Sequence, residues 1–246
     1  MMGRVTNVLV LAAGAPLNPA GEENYPACLT EFNGVPLLEW IVENAKRIGN
    51  TRFIFALREN EIEQFHLDRV AKLLAPTCLV VPIADGSMGS ACTALMAACT
   101  LPADEEVLAI SANEWVDIDL APVLTDFRKR QLDGGLLTFP SVHPRYSYAK
   151  VDDDGLVTEV SQRRPISRLA TTGTFWFARA QDLVESAKGM IRKADLVNGR
   201  YYIAKTYNEM ILAQRRVGVH GIESVQYRPL KSERQISQFE MQGNAA

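Results

Sequence analysis

Cysteine and histidine are scarce in this sequence of 246 residues, and neither residue type forms a cluster along the chain. The four cysteines include no C-x-x-C pair, and the three histidines are scattered. This pattern argues against a zinc site or a disulfide framework. We interpret the cysteines as reduced, mostly buried thiols of a cytoplasmic protein.

The chain also lacks an apolar run of membrane-spanning length and an excess of positive charge. Its formal net charge of -3 argues against a nucleic-acid partner. The apolar run after Arg4 leads directly into a loop that looks functional, so we expect no removable signal peptide. The sequence has neither low-complexity linkers nor internal repeats. We therefore expect a globular protein whose partners are small molecules and which does not bind membranes.

The first half of the sequence does contain an alternation of apolar strands and helices. Continuous apolar runs predict buried strands at 8–11, 52–57, 78–81 and 107–111. The segments between them predict helices at 36–47, 61–74 and 90–99. This order implies right-handed crossovers and a mostly parallel sheet covered by helices on both faces.

The second half has shorter strands around turn signals at 152–155 and 198–199, which is typical of antiparallel pairing. Strands are predicted at 135–139, 147–151, 157–160, 172–177 and 217–220. Helices are predicted at 180–192 and 201–215. We expect one continuous domain over residues 1–246 whose character changes near residue 133.

The segment from 8 to 40 is the most informative one, because a buried strand ends in Ala-Ala-Gly and opens into a long loop punctuated by glycine and proline. Glycine lets a ligand approach the backbone closely, and loop N–H groups can point at phosphates. An ordinary strand-to-helix connection is the alternative. The candidate nucleotide-binding residues here are Leu11, Ala12, Ala13 and Gly14.

A second candidate is the segment 86–91, Gly-Ser-Met-Gly-Ser-Ala, which predicts a turn that opens a helix. Helix N-termini attract anions, and small residues admit a base or a ribose. We therefore predict nucleotide contacts at Gly89 and Ala91, although a plain capped turn explains the same residues.

Taken in order, the short motifs of this chain resemble those of the sugar nucleotidyltransferases, or nucleoside-diphosphate-sugar pyrophosphorylases. The matching segments of the first half are LAAG at 11–14, PACL at 26–29 and GVPLLEW at 34–40. SYAK at 147–150, TEV at 158–160 and PIS at 165–167 resemble a bacterial branch linked to capsule and surface polysaccharides. Each motif is short, so the specificity comes from their order and spacing.

This resemblance implies a Rossmann-like glycosyltransferase-A/nucleotidyltransferase fold, with a central mixed, mostly parallel sheet flanked by helices. It divides the domain into a nucleotide-binding half at 1–133 and an acceptor or sugar-side half at 134–246. By resemblance, Lys150 and Arg164 would act in catalysis by aligning the acceptor phosphate, and Asn113 would help to hold Mg²⁺. The implied acceptor contacts are Tyr148, Glu159, Gly173 and Tyr201. Packing is the alternative for Tyr201, and a solvated hairpin surface is the alternative for the two cations.

The sequence departs from the family pattern at positions that carry charge. The family's loop arginine has no counterpart in APLNP at 15–19, and its lysine corresponds to Ala27. Its metal-binding aspartate corresponds to Asn113, which offers a neutral oxygen and should bind Mg²⁺ more weakly. Glu114, Asp117 or Asp119 could compensate as metal ligands, or the two aspartates could instead cap the next helix.

The resemblance implies an enzyme that transfers a nucleotidyl group from a nucleoside triphosphate to a sugar phosphate or similar small phosphorylated acceptor, and releases pyrophosphate. Mg²⁺ is the cofactor that the resemblance implies. Whether the protein forms a homo-oligomer is left open. The depleted charges leave an alternative, a nucleotide- or nucleotide-sugar-binding subunit in surface-polysaccharide synthesis. A third hypothesis is that the protein is a glycosyltransferase, in which Asp117-Ile118-Asp119 would be an Asp-x-Asp metal motif.

Overall fold

The computed structural model describes residues 4–14 and 25–243. The sequence-based interpretation of 15–19 therefore lies outside the described residues. The strands are β1 (Thr6–Leu11), β2 (Glu31–Phe32), β3 (Val35–Pro36), β4 (Thr51–Arg58), β5 (Leu79–Ile83), β6 (Glu106–Ser111), β7 (Glu114–Val116), β8 (Gly134–Pro140), β9 (Ser147–Val151), β10 (Val157–Gln162), β11 (Leu169–Phe177), β12 (Val217–Gly221) and β13 (Tyr227–Pro229). The helices are α1 (Leu37–Lys46), α2 (Glu59–Phe65), α3 (Leu67–Leu74), α4 (Ser90–Ala98), α5 (Leu120–Lys129), α6 (Ala180–Arg192), α7 (Ile203–Leu212) and α8 (Glu233–Gly243).

Within the described residues, nine strands form the main sheet. Seven of them lie side by side in the order β5-β4-β1-β6-β11-β8-β12, and β11 alone runs antiparallel to its neighbours in that series. The β9–β10 hairpin continues from the first residues of β11, Leu169 and Ala170, on the side of β11 where β6 pairs further along. This arrangement confirms the predicted fold class, a central and mostly parallel sheet flanked by helices.

Both faces of the sheet are buried, which explains the continuous apolar runs of the central strands. In β1, Val8 and Val10 pack in one core cluster, whereas Leu9 and Leu11 pack in the other, because successive side chains point to opposite faces. Helices α1, α3 and α5 contribute to the first cluster, and α4, α6 and α7 contribute to the second.

One predicted element differs from the structure. The helix expected at 61–74 is divided into α2 and α3, because His66 adopts a left-handed backbone conformation with φ of 54°. The change of direction at His66 lets Leu67, the first residue of α3, become fully buried. Apolar periodicity continues across the break, so the sequence pattern alone does not reveal it.

The last helix closes one end of the fold. Phe239 of α8 packs against Phe32 and Trp115, with ring centroids 4.8 and 5.1 Å apart, and Trp40 stacks on Trp115 at 4.3 Å. Trp115 lies in β7, which pairs with β13, so the chain after Gly221 is fixed beside the end of β6. None of the helices in the described part of the chain is long and apolar enough to cross a membrane.

Candidate functional site

A cavity of about 680 Å³ opens at the carboxyl edge of the parallel strands. Leu11 ends β1, Arg58 ends β4 and Ser111 ends β6, and all three line it. Ligands of open α/β sheets bind at this edge, because loops from successive strands converge there. The remaining walls come from the loop after β5, from the start of β9, the end of β10 and the middle of β11, and from residues 200, 202–204 and 231.

On the side of β1, the cavity wall consists of small residues and backbone. Ala13 and Gly14 line it, and a methyl group added at Gly14 would lie 3.9 Å from the side-chain nitrogen of Asn113. Arg58 donates a hydrogen bond to the Gly14 carbonyl over 3.2 Å and forms a close ion pair with Asp85. These contacts hold the loop after β1 and a guanidinium group side by side.

Glu61 lies close to this guanidinium group and is 8% exposed. Burial raises the pKa of the Glu61 carboxyl to about 7, with Arg58 acting against the shift and Asp85 adding to it. One of its carboxyl oxygens is buried without a hydrogen-bond partner. The residue is thus a buried acid whose charge is poorly compensated.

The loop before α4 contacts the protein itself at Gly89. This glycine has a φ of 116°, and a Cβ there would lie 2.5 Å from the Tyr201 carbonyl oxygen, so only glycine fits. Ala91 donates its N–H to the same carbonyl over 3.1 Å. Ala91 and Tyr201 are buried against Met190, which places both outside the cavity lining, whereas Gly89 is part of it.

Glu114 lies buried beneath the part of the cavity wall that Gly173 and Lys231 form. Its carboxylate accepts a close hydrogen bond from the Gly173 N–H, and hydrogen bonds from the Tyr227 hydroxyl at 3.0 Å and the Lys231 ammonium group at 3.1 Å. Burial, with the nearby Glu114 charge as a second cause, raises the pKa of Tyr227, so its hydroxyl stays protonated and donates. A Cβ at Gly173 would lie 2.6 Å from the Glu114 carboxylate, so glycine is required for this contact.

The cavity is lined by cations more than by anions. Its positively charged side chains are Arg58, Arg145, Arg163, Arg200 and Lys231, and Asp85 is the one carboxylate among the described lining residues. Arg145 lies over the Tyr146 ring, 5.0 Å from its centroid. Within the described residues, the guanidinium groups of Arg163 and Arg200 have no hydrogen-bond or ion-pair partner, so both are available to an anionic ligand.

Several of the predicted site residues line the cavity together, namely Leu11, Ala13, Gly14, Gly89, Asn113 and Gly173. Others lie outside its lining. Tyr148 is fully buried, with its hydroxyl donating to the His143 carbonyl. Lys150 is exposed on β9, and Glu159 pairs with Arg164 at 2.8 Å on the same hairpin. Ala12 is also outside the lining, and the roles of all these residues stay predictions.

The two aspartates that were considered as metal ligands also lie outside the cavity lining. Asp119 accepts a hydrogen bond from the Ala121 N–H over 2.9 Å and thereby caps α5. Asp117 is exposed, and its N–H donates to the Gln226 carbonyl over 2.8 Å. The Asp119 contact matches the capping alternative, the Asp117 contact involves only its backbone, and metal ligation by either residue stays a prediction.

The donor set of the cavity fits protein-bound Mg²⁺ poorly. Mg²⁺ in phosphate-transfer sites is usually held by one or two carboxylates together with substrate phosphates. Among the described residues, Asn113 Oδ1 is buried without a hydrogen-bond partner, and it carries no charge. Glu114 and Asp85 are engaged with cations, and no group of three or more His, Cys, Asp or Glu in the described residues could hold a metal ion.

Sequence reasoning missed most of the cationic lining. Arg163 directly precedes the predicted Arg164, and its positive φ of 62° redirects the chain at the end of β10. Lys231 has no sequence signal, because it lies 117 positions from Glu114. Only the three-dimensional pairing of the two reveals it.

Solved structures share this fold. A nucleoside-diphosphate-sugar pyrophosphorylase from Vibrio cholerae RC9 has a TM-score of 0.77 and 19% identity, covering 95% of this chain and 99% of that one. A proposed glucose-1-phosphate thymidylyltransferase from Bacillus anthracis, solved with sucrose, has a TM-score of 0.75 and 15% identity, covering 98% and 96%. A UDP-glucose pyrophosphorylase complexed with UDP-glucose has a TM-score of 0.73 and 14% identity, covering 98% of each chain.

This chain thus shares its fold with nucleotide-sugar pyrophosphorylases and thymidylyltransferases over nearly the whole length of each chain. No family model and no curated protein matches the sequence. At 14–19% identity the solved structures show the fold alone. What the site does must therefore be argued from its own residues.

Proposed function

We propose that this chain transfers a nucleotidyl group from a nucleoside triphosphate to a sugar phosphate or similar small phosphorylated acceptor and releases pyrophosphate. The observation that carries the proposal is that a single cavity has walls of two different kinds. The wall at the end of β1 consists of small residues and backbone, which suits a base and ribose. The remaining walls carry Arg145, Arg163, Arg200 and Lys231, which suit two sets of phosphates.

In this reaction an oxygen of the acceptor phosphate attacks the α-phosphorus of the nucleotide. The bond from that phosphorus to the oxygen bridging to the β-phosphate breaks, and pyrophosphate leaves with the electron pair. No covalent enzyme intermediate is needed, so the protein has to align the two phosphates and stabilise the negative charge. The cationic lining is suited to both tasks.

The proposal assigns the cations by their place in the fold. Arg58 lies beside the Gly14 carbonyl, and the Cβ of Arg200 lies against Gly89, so we assign both to the nucleotide. The Arg163 N–H donates to the Tyr146 carbonyl over 2.9 Å, which brings Arg145 and Arg163 together at one end of the β9–β10 hairpin. We assign these two to the acceptor, and Lys150 and Arg164 remain candidates on the same hairpin.

A second candidate is a protein that binds a nucleotide or nucleotide sugar without turning it over, as a subunit in surface-polysaccharide synthesis. The observation in its favour is the weak donor set for Mg²⁺, together with Ala27 and Asn113 where the resembled family has lysine and aspartate. The fold likeness supports both candidates equally.

Pyrophosphate release distinguishes them. The purified chain is incubated with each nucleoside triphosphate and a mixture of sugar 1-phosphates and other small phosphorylated acceptors, with Mg²⁺ and without it. Release with one pair supports nucleotidyl transfer. Binding of a nucleotide without release in any mixture supports the second candidate, and A27K/N113D should then create turnover.

The role of Arg163 is tested by R163M, with R192M as the matched control on the exposed side of α6. Loss of a charge-assisted contact to the acceptor phosphate should raise the acceptor KM about tenfold. R192M removes the same charge away from the cavity and should leave KM unchanged. Equal effects of both variants would contradict the assignment of Arg163.

A further inference from the structure

Among the described lining residues, Lys231 is the one cation whose position is fixed from beneath by a buried acid. Glu114 is 2% exposed, and its carboxylate accepts from the Lys231 ammonium group over 3.1 Å. Gly173 and Tyr227 hold the same carboxylate through two further hydrogen bonds, so the anchor itself cannot rotate freely. The result is a lysine whose charge is set in place before any ligand arrives.

The ammonium group has donors left for a ligand. Lysine carries three N–H donors, and the contact with Glu114 uses one of them. The Lys231 side chain is 44% exposed and lines the cavity, whereas the Glu114 carboxylate lies below it. A phosphate group in the cavity would therefore meet the cation and not the acid.

This lysine lies at the edge of the sheet where the resemblance to the sugar nucleotidyltransferases implies a divalent cation. Asn113 and Glu114 follow β6 at the carboxyl edge of the sheet, and Glu114 is the buried carboxylate there. In this chain its negative charge is matched by an ammonium group, and Asn113 offers a single neutral oxygen. The lysine thus brings one fixed positive charge to this edge of the cavity, where a divalent ion would bring two.

We propose that Lys231, anchored by Glu114, supplies the cation that contacts the nucleotide phosphates, so that this protein binds a nucleoside triphosphate without a divalent metal ion. The inference rests on the proposed function for the identity of the ligand as a triphosphate. It goes further, because it assigns a fixed lysine to the charge-neutralising task and makes nucleotide binding insensitive to chelation.

The test is equilibrium binding, measured by isothermal titration calorimetry with each nucleoside triphosphate in buffer containing either EDTA or Mg²⁺. A matched pair of variants isolates the lysine. In E114Q the glutamine carbonyl can accept the hydrogen bond from the Gly173 N–H, and its amide N–H can donate to the Tyr227 hydroxyl oxygen, which reverses the direction of that contact. E114Q/K231M has the same buried glutamine and differs from E114Q only at the lysine. K188M, on the surface of α6 where Lys188 pairs with Glu185 at 3.4 Å, controls for net charge.

The proposal expects the unmodified chain to bind a triphosphate in EDTA, with an affinity within about threefold of that in Mg²⁺. E114Q/K231M should bind about 10- to 100-fold more weakly than E114Q, and K188M should bind like the unmodified chain. Binding that requires Mg²⁺, or equal affinities of E114Q/K231M and the unmodified chain, would overturn the inference and leave the proposed function standing. No triphosphate binding in either buffer would overturn both.

Discussion

Two buried glutamates lie at opposite edges of the sheet, one at each end of β6, and their partners differ. Glu106 begins β6 at the amino edge and is contacted by Arg4 at 3.2 Å, by Arg128 and by the Thr6 hydroxyl. Glu114 follows β6 at the carboxyl edge and has one cation, Lys231. Both acids are almost completely inaccessible, yet only the carboxyl-edge pair opens into a cavity.

The difference teaches how the chain separates stability from ligand binding. At the amino edge two guanidinium groups share one carboxylate, so the loss of either leaves the charge compensated. At the carboxyl edge a single lysine, Lys231, pairs with the buried acid on one side and lines the cavity on the other. A buried charge with a single partner is costly to disrupt, because the remaining ion is left in a low-dielectric environment.

The largest expected effect is on the carboxyl-edge pair. K231M leaves the Glu114 carboxylate with two neutral donors and no cation, and should lower the free energy of unfolding by about 3 kcal/mol. Urea unfolding at pH 8 measures the change. Adding E114Q to K231M should restore most of the stability, since the buried charge is then absent. A double variant as unstable as K231M would show that the lysine stabilises the fold in another way.

Gly173 tests the floor of the same site. A Cβ at this position would lie 2.5 Å from Ser111 Oγ and 2.6 Å from the Glu114 carboxylate, so G173A should lower the free energy of unfolding by about 2.5 kcal/mol. G221A is the matched control, because a Cβ on Gly221 of β12 meets no atom within 4 Å. In thermal unfolding, the melting temperature of G173A should be clearly lower than that of G221A. Similar melting temperatures would contradict the tight contact at Gly173.

A third buried acid, Glu61, sharpens the comparison, because one of its carboxyl oxygens has no hydrogen-bond partner at all. Burial raises the pKa of Glu61 from 4.5 to about 7. Between these pH values the unfolded chain has already released the proton that the folded chain retains. Stability at this site therefore falls as pH rises from 4.5 to 7, and stays lower above 7.

E61Q removes this penalty and should raise the free energy of unfolding by roughly 2 kcal/mol at pH 8, with little gain near pH 4. E63Q, an exposed change in the same helix α2, should have no comparable pH dependence. Urea unfolding at the two pH values measures both variants. A gain for E61Q that is the same at pH 4 and pH 8 would argue against an ionising Glu61.

Much of the sheet follows from local pattern in the sequence, whereas its strand order does not. Apolar runs at 8–11 and 107–111 predict the buried strands β1 and β6, because both faces of these strands are covered, but the pairing of β1 with β6 is seen only in the structure. The insertion of β11 between β6 and β8 depends on pairing over more than 30 residues, which no local periodicity encodes. The break at His66 was missed for a related reason, since apolar spacing does not report a left-handed residue.

The candidate site shows the same limit. Gly14 and Gly89 could be named from sequence, because loops and turns select glycine locally, whereas Gly173 was implied by the resemblance and contacts Ser111 and Glu114 across the fold. The cations could not, because Arg163 is distinguished from Arg164 only by the geometry at the end of the hairpin. Lys231 and Glu114 meet across 117 positions. Small residues thus report local backbone needs, whereas charged partners are set by tertiary structure.

The smallest expected effect is at the amino edge. R128M removes two close contacts to Glu106, but Arg4 still pairs with the carboxylate at 3.2 Å, so the free energy of unfolding should fall by only about 1 kcal/mol. K129M, an exposed change next to it in α5, is the matched control for charge. Because the pair is at the edge of the sheet opposite the cavity, R128M should also leave nucleotide affinity unchanged. If R128M destabilised the protein as much as K231M, the second guanidinium group would not protect the buried charge, and the contrast between the two edges would fail.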